Sequence, residues 1–235
     1  MNDLAGWAQS FDLHLTTDQL RQFDVYERLL LEWNDRISLT AIRGPHEIRI
    51  RHFLDSLTCA TVTGSLAECS MIDVGSGAGF PGLPLKILFP GLRLTMMDSI
   101  GKKARFLELV VRELGLRDVT VLAERAETLG HSPTYRATFD WATARAVAEL
   151  RVLAELLLPF VRVEGHVLAQ KGESARQEMT VAATAIATLG GGETTITGVR
   201  LPETEQTHYL IVIAKQQPTD DRYPRRVGMP AKRPL

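Results

Sequence analysis

The stretch "SMIDVGSGAGFPGLPLKILFPG" (residues 70–91) decides the fold of this chain, because a short apolar run leads directly into a glycine-rich turn and a second apolar run. Gly77, Gly79 and Gly82 satisfy the G-x-G-x-x-G spacing of dinucleotide-binding folds. The same turn contains D-x-G-x-G-x-G, which begins at Asp73 and is expected of S-adenosylmethionine enzymes. In both cases the glycines let the backbone approach a ligand, and the helix that follows directs free N–H groups at it. A tight turn without a ligand is a third interpretation of the glycines alone.

Short apolar strands and helical patterns alternate along the rest of the chain. The predicted strands after "SMIDVG" are "LRLTMMD", "VTVLAE", "FDWATARA" and "GHVLAQKG". This alternation predicts a parallel sheet with helices on both faces and right-handed connections. No helical pattern separates Thr194–Leu201 from His208–Lys215, so we expect these two strands to pair antiparallel at one edge. A plain dinucleotide-binding fold does not end in such a pair. We therefore predict the α/β, Rossmann-like fold of class I S-adenosylmethionine-dependent methyltransferases, with a seven-stranded, mostly parallel sheet.

A helical appendage precedes the first strand. Apolar residues recur at helical spacing after Thr16, and Thr16 and Gln19 are spaced as a capping box. A second helix is predicted to begin at Pro45, because proline suits the first helical position. We divide the chain into a helical appendage (1–65), a methyltransferase domain (66–217) and a basic C-terminal tail (218–235).

Composition narrows the classes of partner. The 235 residues are 45% apolar and carry a formal net charge of -1, so any contact with nucleic acid must be a local basic patch. Cys59 and Cys69 lie outside any metal-binding or C-x-x-C spacing, which predicts a reducing compartment and no metal site. No run approaches the ~18 apolar residues of a membrane span, so we expect a soluble cytoplasmic protein.

Two aspartates follow the first two strands of the pattern. Asp73 lies two residues before the first glycine of the turn, where it can bind the amino group of a methionyl tail. Asp98 lies 19 residues after Gly79, where a carboxylate can accept both hydroxyls of a ribose. The Asp98 position suits a dinucleotide equally well, whereas a negative charge at Asp73 has little use near phosphates. The alternative for both residues is a helix cap or a turn.

At this point the motifs resemble a known family. The segments that carry the resemblance are "LTAIRGPHEIRIRHFLDSL", "DVGSGAGFPGLPLKI", "MDSIGKKARFLELVVRELGL", "AERAE", "FDWATARAVAEL", "LAQKG" and "YPRRVGMPAKRPL". They resemble the glucose-inhibited division protein B family of bacterial 16S rRNA guanine-N7 methyltransferases. The resemblance covers roughly residues 35–235, and the combination of G-x-G-F-P-G with R-H-F-x-D-S and Y-P-R…G-x-P is specific.

The resemblance implies methylation, by S-adenosylmethionine, of N7 of one guanine (guanine 527 by the family's name) in a hairpin loop of 16S rRNA. It implies that the cofactor contacts lie in the glycine turn, in "RAE" and in "ARA". The turn also supplies the glycines of the D-x-G-x-G-x-G frame. The resemblance places cofactor contacts on Gly75, Phe80, Asp98, Ala126, Glu127 and Arg145, and the residue pattern itself adds Asp73, Gly77 and Gly79. Where the family often has Ser-Arg-Ala-Phe, this chain has Ala144-Arg145-Ala146-Val147, so the detail of the target pocket differs.

The residue types agree with an N7 target. The loop "ATARAVAEL" after the fourth strand lacks the Asn/Asp-Pro-Pro-aromatic sequence of amino-directed adenine methyltransferases, and it lacks a nucleophilic cysteine. Guanine N7 carries a lone pair and no proton at neutral pH, so in-line transfer requires alignment and desolvation but no general base. We therefore nominate no catalytic acid or base. Arg145 is expected to orient the cofactor or bind a phosphate, and its alternative role is an ion pair at the sheet edge.

RNA contact is expected from local basic groups near the same strand ends. Basic side chains bind phosphates, and an aromatic ring can stack on a base of a single-stranded loop. The predicted RNA-binding residues are Arg145, Lys171, Arg222, Tyr223, Arg225, Arg226, Lys232 and Arg233. The alternatives are a solvated Lys171 and a solubilising, partly disordered tail. We expect removal of residues 222–235 to weaken RNA binding and to leave cofactor affinity intact. His52 can face the cleft, although packing between helices is its ordinary role.

Three other functions share parts of this pattern. An NAD(P)-dependent oxidoreductase explains the G-x-G-x-x-G spacing, although it explains neither the antiparallel edge pair nor the lack of a substrate acid or base histidine. A small-molecule methyltransferase has the same fold. A non-catalytic RNA-binding protein with a relic pocket would bind RNA without a cofactor. We expect a monomer whose partner is 16S rRNA or the small ribosomal subunit.

Overall fold

The computed structural model describes residues 1–235, with the side chain of Asn2 left out. Its strands are β1 (Ser70–Val74), β2 (Arg93–Met97), β3 (Val119–Leu122), β4 (Phe139–Arg145), β5 (Val161–Lys171), β6 (Gly191–Arg200) and β7 (Thr207–Lys215). Its helices are α1 (Asn2–Gln9), α2 (Thr17–Ile37), α3 (Pro45–Ile48), α4 (Asp55–Leu57), α5 (Ala60–Thr63), α6 (Gly82–Leu88), α7 (Gly101–Glu113), α8 (Ala126–Leu129), α9 (Leu150–Leu157), α10 (Ala175–Thr188) and α11 (Met229–Lys232). None of the helices in the described part combines the length and apolar character needed to cross a membrane.

The seven strands form one sheet in the order β3-β2-β1-β4-β5-β7-β6. The first five strands of the chain pair in parallel, and β7 pairs antiparallel with both β5 and β6. This confirms the predicted seven-stranded sheet with an antiparallel edge pair. The strand order reverses between β1 and β4, so the carboxyl ends of these two strands border the crevice where α/β sheets bind ligands.

The helices before β1 pack into the core on one face of the sheet. Phe23 and Tyr26 of α2 and Phe53 are fully buried, and they share one hydrophobic cluster with Met71 of β1 and Leu83 of α6. Burial of large side chains of this kind stabilises a fold by about 1.5–3 kcal/mol each. The appendage is therefore joined to the methyltransferase sheet by a continuous core.

The starts of the two predicted appendage helices are confirmed, whereas α1 was not predicted from the sequence. Thr16 Oγ1 accepts a hydrogen bond from the Gln19 amide, and Gln19 Oε1 accepts one from the Thr16 amide, so the capping box is complete. Pro45 occupies the first turn of α3. Between α3 and α4 the chain forms a π-helical segment, Arg49–Leu54, a geometry that is rare and frequent at functional sites.

A second hydrophobic cluster lies on the other face of the sheet. It contains α9 and α10 residues such as Leu153 and Ala182, together with Ile72 of β1. Tyr223 of the C-terminal tail belongs to this cluster and is buried. The tail therefore packs against the body of the protein rather than extending away from it.

Candidate functional site

The glycine-rich turn after β1 has a conformation that requires glycine. Gly75, Gly77 and Gly79 have φ angles of +70°, +59° and +102°. A Cβ atom on Gly79 would lie 2.4 Å from Leu83 Cδ1 and 2.7 Å from Tyr26 Oη. The Tyr26 hydroxyl donates to the Ala78 carbonyl inside the turn. The appendage thus contacts the turn through Tyr26 of α2. The lack of a side chain at Gly79 lets the turn lie close to Tyr26 and Leu83.

Asp73 lies at the end of β1, and its side chain is fully buried. Its Oδ2 atom accepts a hydrogen bond from the Gly82 amide at 2.9 Å, whereas Oδ1 has no partner among the described atoms. Burial raises the pKa of this carboxyl group from 3.8 to about 7. A buried, unpaired carboxylate oxygen fits a ligand that brings a positive group, as the methionyl tail of S-adenosylmethionine does.

Asp98 follows β2 and closes the turn from the neighbouring strand. Its Oδ2 atom accepts from the Gly77 amide at 3.0 Å, and its Oδ1 atom accepts from the Ile100 amide at 2.8 Å. These bonds give Asp98 the turn-forming role that the sequence left open. The residue also lines a cavity of about 100 Å³ beside Gly75. Each carboxylate oxygen has a second lone pair that can accept a further hydrogen bond. Contact of Asp98 with a ribose therefore stays a prediction.

Ala126 and Glu127 begin α8 and line the same small cavity as Asp98. Glu127 Oε1 accepts a hydrogen bond at 2.9 Å from the Gly228 amide of the tail. This contact is not predictable from local patterns, since the two residues are 101 positions apart. The helix that borders the small cavity is consequently tied to the tail.

Arg145 ends β4 and joins three parts of the protein. Its Nη1 atom donates to Asp55 Oδ2 of α4 at 3.1 Å, and its guanidinium carbon lies 4.6 Å from the ring centroid of Phe80. The ring of Phe80 stacks in turn on His52 at 4.7 Å. Arg145 therefore forms an ion pair, as in the alternative interpretation, but its partner comes from the appendage rather than from the sheet.

His52 both packs between elements and faces the cleft. Its Nε2 atom bonds to Thr40 Oγ1 at 2.7 Å, and its ring packs on Phe80. Burial, and then the positive charge of Arg145, lower the pKa of His52 from 6.5 to about 4. The imidazole is therefore neutral at physiological pH and serves as a packing surface.

A second, larger cavity of about 540 Å³ lies at the carboxyl ends of β4 and β5. The residues that line it include Arg51, His52, Asp55, Arg145, Gln170 and His208. Because β7 runs antiparallel to β5, the first residues of β7 reach the same edge as the last residues of β5. The cavity is thus built from the appendage and from three neighbouring strands.

Asp55 is the centre of a hydrogen-bond network in this cavity. Its Oδ1 atom accepts from His208 Nδ1 at 2.9 Å, and its Oδ2 atom accepts from Arg145 and from Gln170 Nε2 at 3.3 Å. Sequence reasoning missed Asp55, Gln170 and His208. Asp55 lies in the segment "RHFLDSL" with His52, and Gln170 lies in "LAQKG" beside Lys171. Nothing in the sequence singles out His208.

One short segment borders both cavities. Arg145 and Ala146 line the larger cavity, and Val147 lines the smaller one. Val147 lies directly over the turn, because a Cβ atom on Gly75 would be 2.8 Å from Val147 Cγ2. Ala146 has a φ of +55°, which is uncommon for a residue with a side chain and is typical of functional sites. The segment from Arg145 to Val147 therefore borders both cavities.

Four of the predicted RNA-binding residues have partners inside the fold or are buried, namely Arg145, Lys171, Tyr223 and Arg225, and their contact with RNA stays a prediction. Lys171 Nζ is 2.6 Å from Glu178 Oε2 and donates to the Ala148 carbonyl at 2.7 Å. Tyr223 is buried, and Arg225 makes an ion pair at 2.6 Å with Glu155, whose side chain is 1% exposed. The remaining tail residues of the predicted set are exposed: Arg222, Arg226, Lys232 and Arg233.

Comparison with known proteins identifies relatives over the whole chain. The family described as "GidB: rRNA small subunit methyltransferase G" matches residues 19–208. A protein named ribosomal RNA small subunit methyltransferase G from Roseiflexus sp. (strain RS-1) is 51% identical over 235 residues, which is 100% of both chains.

Two solved structures are similar in fold at low sequence identity. M. jannaschii TYW2 in complex with AdoMet has a TM-score of 0.53 and 11% identity, over 68% of this chain and 73% of that chain. A mutant of the 16S rRNA (adenine(1408)-N(1))-methyltransferase from Catenulisporales acidiphilia has a TM-score of 0.52 and 16% identity, over 66% and 88%. The family match confirms the resemblance that the motifs indicate.

Proposed function

The chain belongs to the rRNA small subunit methyltransferase G family, and on that premise we propose that it methylates N7 of a single guanine in a hairpin loop of 16S rRNA. Methylation of small-subunit rRNA with S-adenosylmethionine follows from the family. The choice of one guanine and of its N7 atom is the finer part of the proposal. We further propose that the protein acts in the cytoplasm, as a monomer, on the rRNA or the small subunit.

The observation that carries the proposal is the pair of cavities that the segment from Arg145 to Val147 borders. The smaller cavity adjoins the glycine turn, and the larger one opens at the neighbouring strand ends. A methyl donor in the first and a nucleotide in the second would approach each other across a residue with a single methyl side chain. Pockets of 300–1,000 Å³ commonly hold small ligands, so about 540 Å³ suits one nucleotide. The smaller cavity, at about 100 Å³, lies below this range, so it would hold only part of the methyl donor.

The residues around the smaller cavity would hold the cofactor. S-adenosylmethionine supplies a sulfonium methyl group as the electrophile. Asp73 would bind the amino group of the methionyl tail, and the turn from Gly75 to Phe80, with Gly77 and Gly79, would accept its backbone. Asp98 would accept the ribose hydroxyls, while Ala126 and Glu127 would border the adenine. Arg145 would orient the cofactor or the target beside Phe80, which agrees with the position of its guanidinium group over the Phe80 ring.

The larger cavity would align the target base and exclude water. Guanine N7 needs no deprotonation, so the chain has to supply orientation rather than a general base. His52 is held neutral and packs on Phe80, which keeps an additional charge away from the reacting atoms. Exposed basic residues would contact the flanking RNA, namely Arg222, Arg226, Lys232 and Arg233.

Two measurements test this assignment. Calorimetric titration should give binding of S-adenosylhomocysteine and no binding of NADH, since Asp73 suits an amino group and not a pyrophosphate. Incubation with labelled S-adenosylmethionine should place the methyl group in 16S rRNA rather than in small molecules. Binding of NADH would favour an oxidoreductase, and RNA binding without cofactor binding would favour a non-catalytic protein.

A further inference from the structure

The charges that line the larger cavity are unevenly paired. Arg145 pairs with Asp55, and Lys171 pairs with Glu178. Arg51 also lines the cavity and is exposed, and it takes part in none of the ion pairs among the described side chains. The cavity thus retains one basic side chain that its own carboxylates do not neutralise.

His208 adds a titratable group beside Arg51. A carboxylate only accepts hydrogen bonds, so the Nδ1 atom of His208 must carry the proton that it donates to Asp55 Oδ1 at 2.9 Å. Nε2 is then the remaining hydrogen-bonding atom of the ring, on the side away from Asp55. His208 is partly exposed and lines the cavity. A protonated ring presents Nε2–H to whatever the cavity holds.

The groups around His208 determine its charge. The hydrogen bond to Asp55 raises the pKa of His208 above 6.5, against the opposing effects of burial and of the nearby Arg145 and Arg51. Asp55 belongs to α4, Arg145 to β4, and Arg51 to the π-helical segment. On the outer side, Glu203 and Glu205 line an adjoining groove with Arg51 and His208, and Glu203 bonds to His46 at 2.8 Å.

We propose that His208 and Arg51 form a pH-dependent anchor for a phosphate group of the target nucleotide at the mouth of the larger cavity. This proposal rests on the proposed function, because the phosphate belongs to the RNA that carries the methylated base. Glu203 and Glu205 would repel a phosphate, so the anchor point is on the inner side of the two cations, towards Gln170 and Tyr209. Tyr209 lines the same cavity and offers an aromatic ring to the base.

The sign of the pH effect follows from the charges. A phosphodiester is negative throughout the neutral range, whereas His208 is positive only below its own pKa. RNA affinity should therefore be greatest at low pH and should fall as the pH rises through the pKa of His208. Removing Arg51 takes away a neighbouring positive charge, so it should shift this transition to higher pH while weakening binding overall.

The test measures the dissociation constant for a 16S rRNA fragment that contains the hairpin loop. Between about pH 6 and about pH 8.5 the wild-type protein should lose roughly 10-fold in affinity, the usual scale for a charged hydrogen bond. His208→Gln should bind weakly at both pH values, because glutamine can donate to Asp55 but carries no charge. His208→Arg should bind tightly at both. The slope of affinity against salt should be smaller by about one for His208→Gln at low pH.

The control is Arg112→Gln. Arg112 lies in the last turn of α7, at the end of the sheet opposite the strand carboxyl ends, and its side chain is 69% exposed. It should leave the affinity and the pH profile unchanged. Rescue by His208→Arg shows that the loss in His208→Gln is a loss of charge and not a failure to fold.

Methyl transfer is measured in the same samples to separate the two proposals. If guanine N7 is methylated while wild type and His208→Gln have the same pH profile of RNA affinity, the anchor is wrong and the proposed function stands. If RNA is bound with the expected pH profile but another atom is methylated, the anchor stands and the proposed function is wrong. A fall in kcat without a change in RNA affinity would also overturn the anchor.

Discussion

At Asp73 a carboxyl group is fully buried with one oxygen bonded to an amide and the other without a partner. Burial raises its pKa from 3.8 to about 7, so the cofactor-free protein holds the proton that the unfolded chain releases. The contribution of Asp73 to the free energy of unfolding is therefore fully present below about pH 4, and it is lost as the pH rises through about 7.

The substitution Asp73→Asn should remove this pH dependence. Asparagine can still accept from the Gly82 amide and has no charge to bury, so the free protein should melt at a higher temperature than wild type at pH 8. Affinity for S-adenosylhomocysteine should fall, because the amide does not attract an ammonium group. Melting curves at several pH values and calorimetry measure the two effects. A variant with unchanged cofactor affinity would show that Asp73 does not contact the ligand.

Ala146 lines the larger cavity next to Val147 of the smaller one, and it has a positive φ angle. We expect Ala146→Leu to lower kcat by about 100-fold, since a misplacement of reacting groups by about 1 Å has an effect of this size. Cofactor affinity should change little because the side chain lines the larger cavity. Ala146→Gly, which relieves the backbone strain without adding volume, is the control. Equal kcat values for the two variants would mean that the size of the side chain at position 146 plays no part in aligning the methyl donor and the base.

At the scale of elements, the tail supports the side of the protein that borders the smaller cavity. Arg225 bonds to the buried Glu155 of α9, and Arg136 donates to the tail carbonyls of Thr219 and Tyr223. Glu127 of α8 accepts from the Gly228 amide. Removal of residues 222–235 is therefore expected to lower stability and cofactor affinity. This expectation differs from the one drawn from the sequence, because the sequence does not reveal these contacts.

The ion pair gives the sharper test of the tail. Arg225→Met should lower the free energy of unfolding by about 3 kcal/mol, because it removes the guanidinium from the buried carboxylate of Glu155 and leaves only the hydrogen bond from the backbone amide of residue 225. Urea denaturation measures the change. Arg226→Met, at an exposed neighbouring position, should change stability by less than about 0.5 kcal/mol. Similar stabilities for the two variants would mean that the tail is not part of the folded unit.

The strength of local patterns explains which elements the sequence predicts. Hydrophobic runs and glycine positions indicate the strand–turn–helix at residues 70–91. Hydrophobic runs also indicate the antiparallel pair of β6 and β7, and both features are predicted correctly. The four-residue helix α8 is too short to produce a periodic pattern, and the π-helical geometry of residues 49–54 has no sequence signature. The sequence predicts Gln19 as a helix cap, whereas its side-chain bond to the Ile87 carbonyl depends on the tertiary structure.

The site is less predictable than the fold because its network is assembled across the whole molecule. The turn glycines, Asp73 and Asp98 are found from local spacing. His208 is 153 residues from Asp55, and the two meet only because β7 inserts next to β5. Separation in sequence likewise hides the internal partners of Tyr223 and of Arg225, which is 70 residues from Glu155.

At the scale of the whole molecule, the appendage, the sheet and the tail all contribute to the carboxyl-terminal edge of the sheet. The appendage supplies Asp55 to the larger cavity and Tyr26 to the turn. The tail holds α8 beside the smaller cavity. All three therefore converge on the carboxyl ends of β1 and β4, where the cofactor and the guanine are proposed to meet.

The position of the transferred methyl group tests this account most directly. Small subunits from a strain that lacks the enzyme are incubated with the protein and labelled S-adenosylmethionine, and the modified nucleotide is then mapped by digestion and mass spectrometry. The account predicts label on N7 of one guanine in a hairpin loop of 16S rRNA. Label on another base, on another atom of guanine or on protein would contradict it.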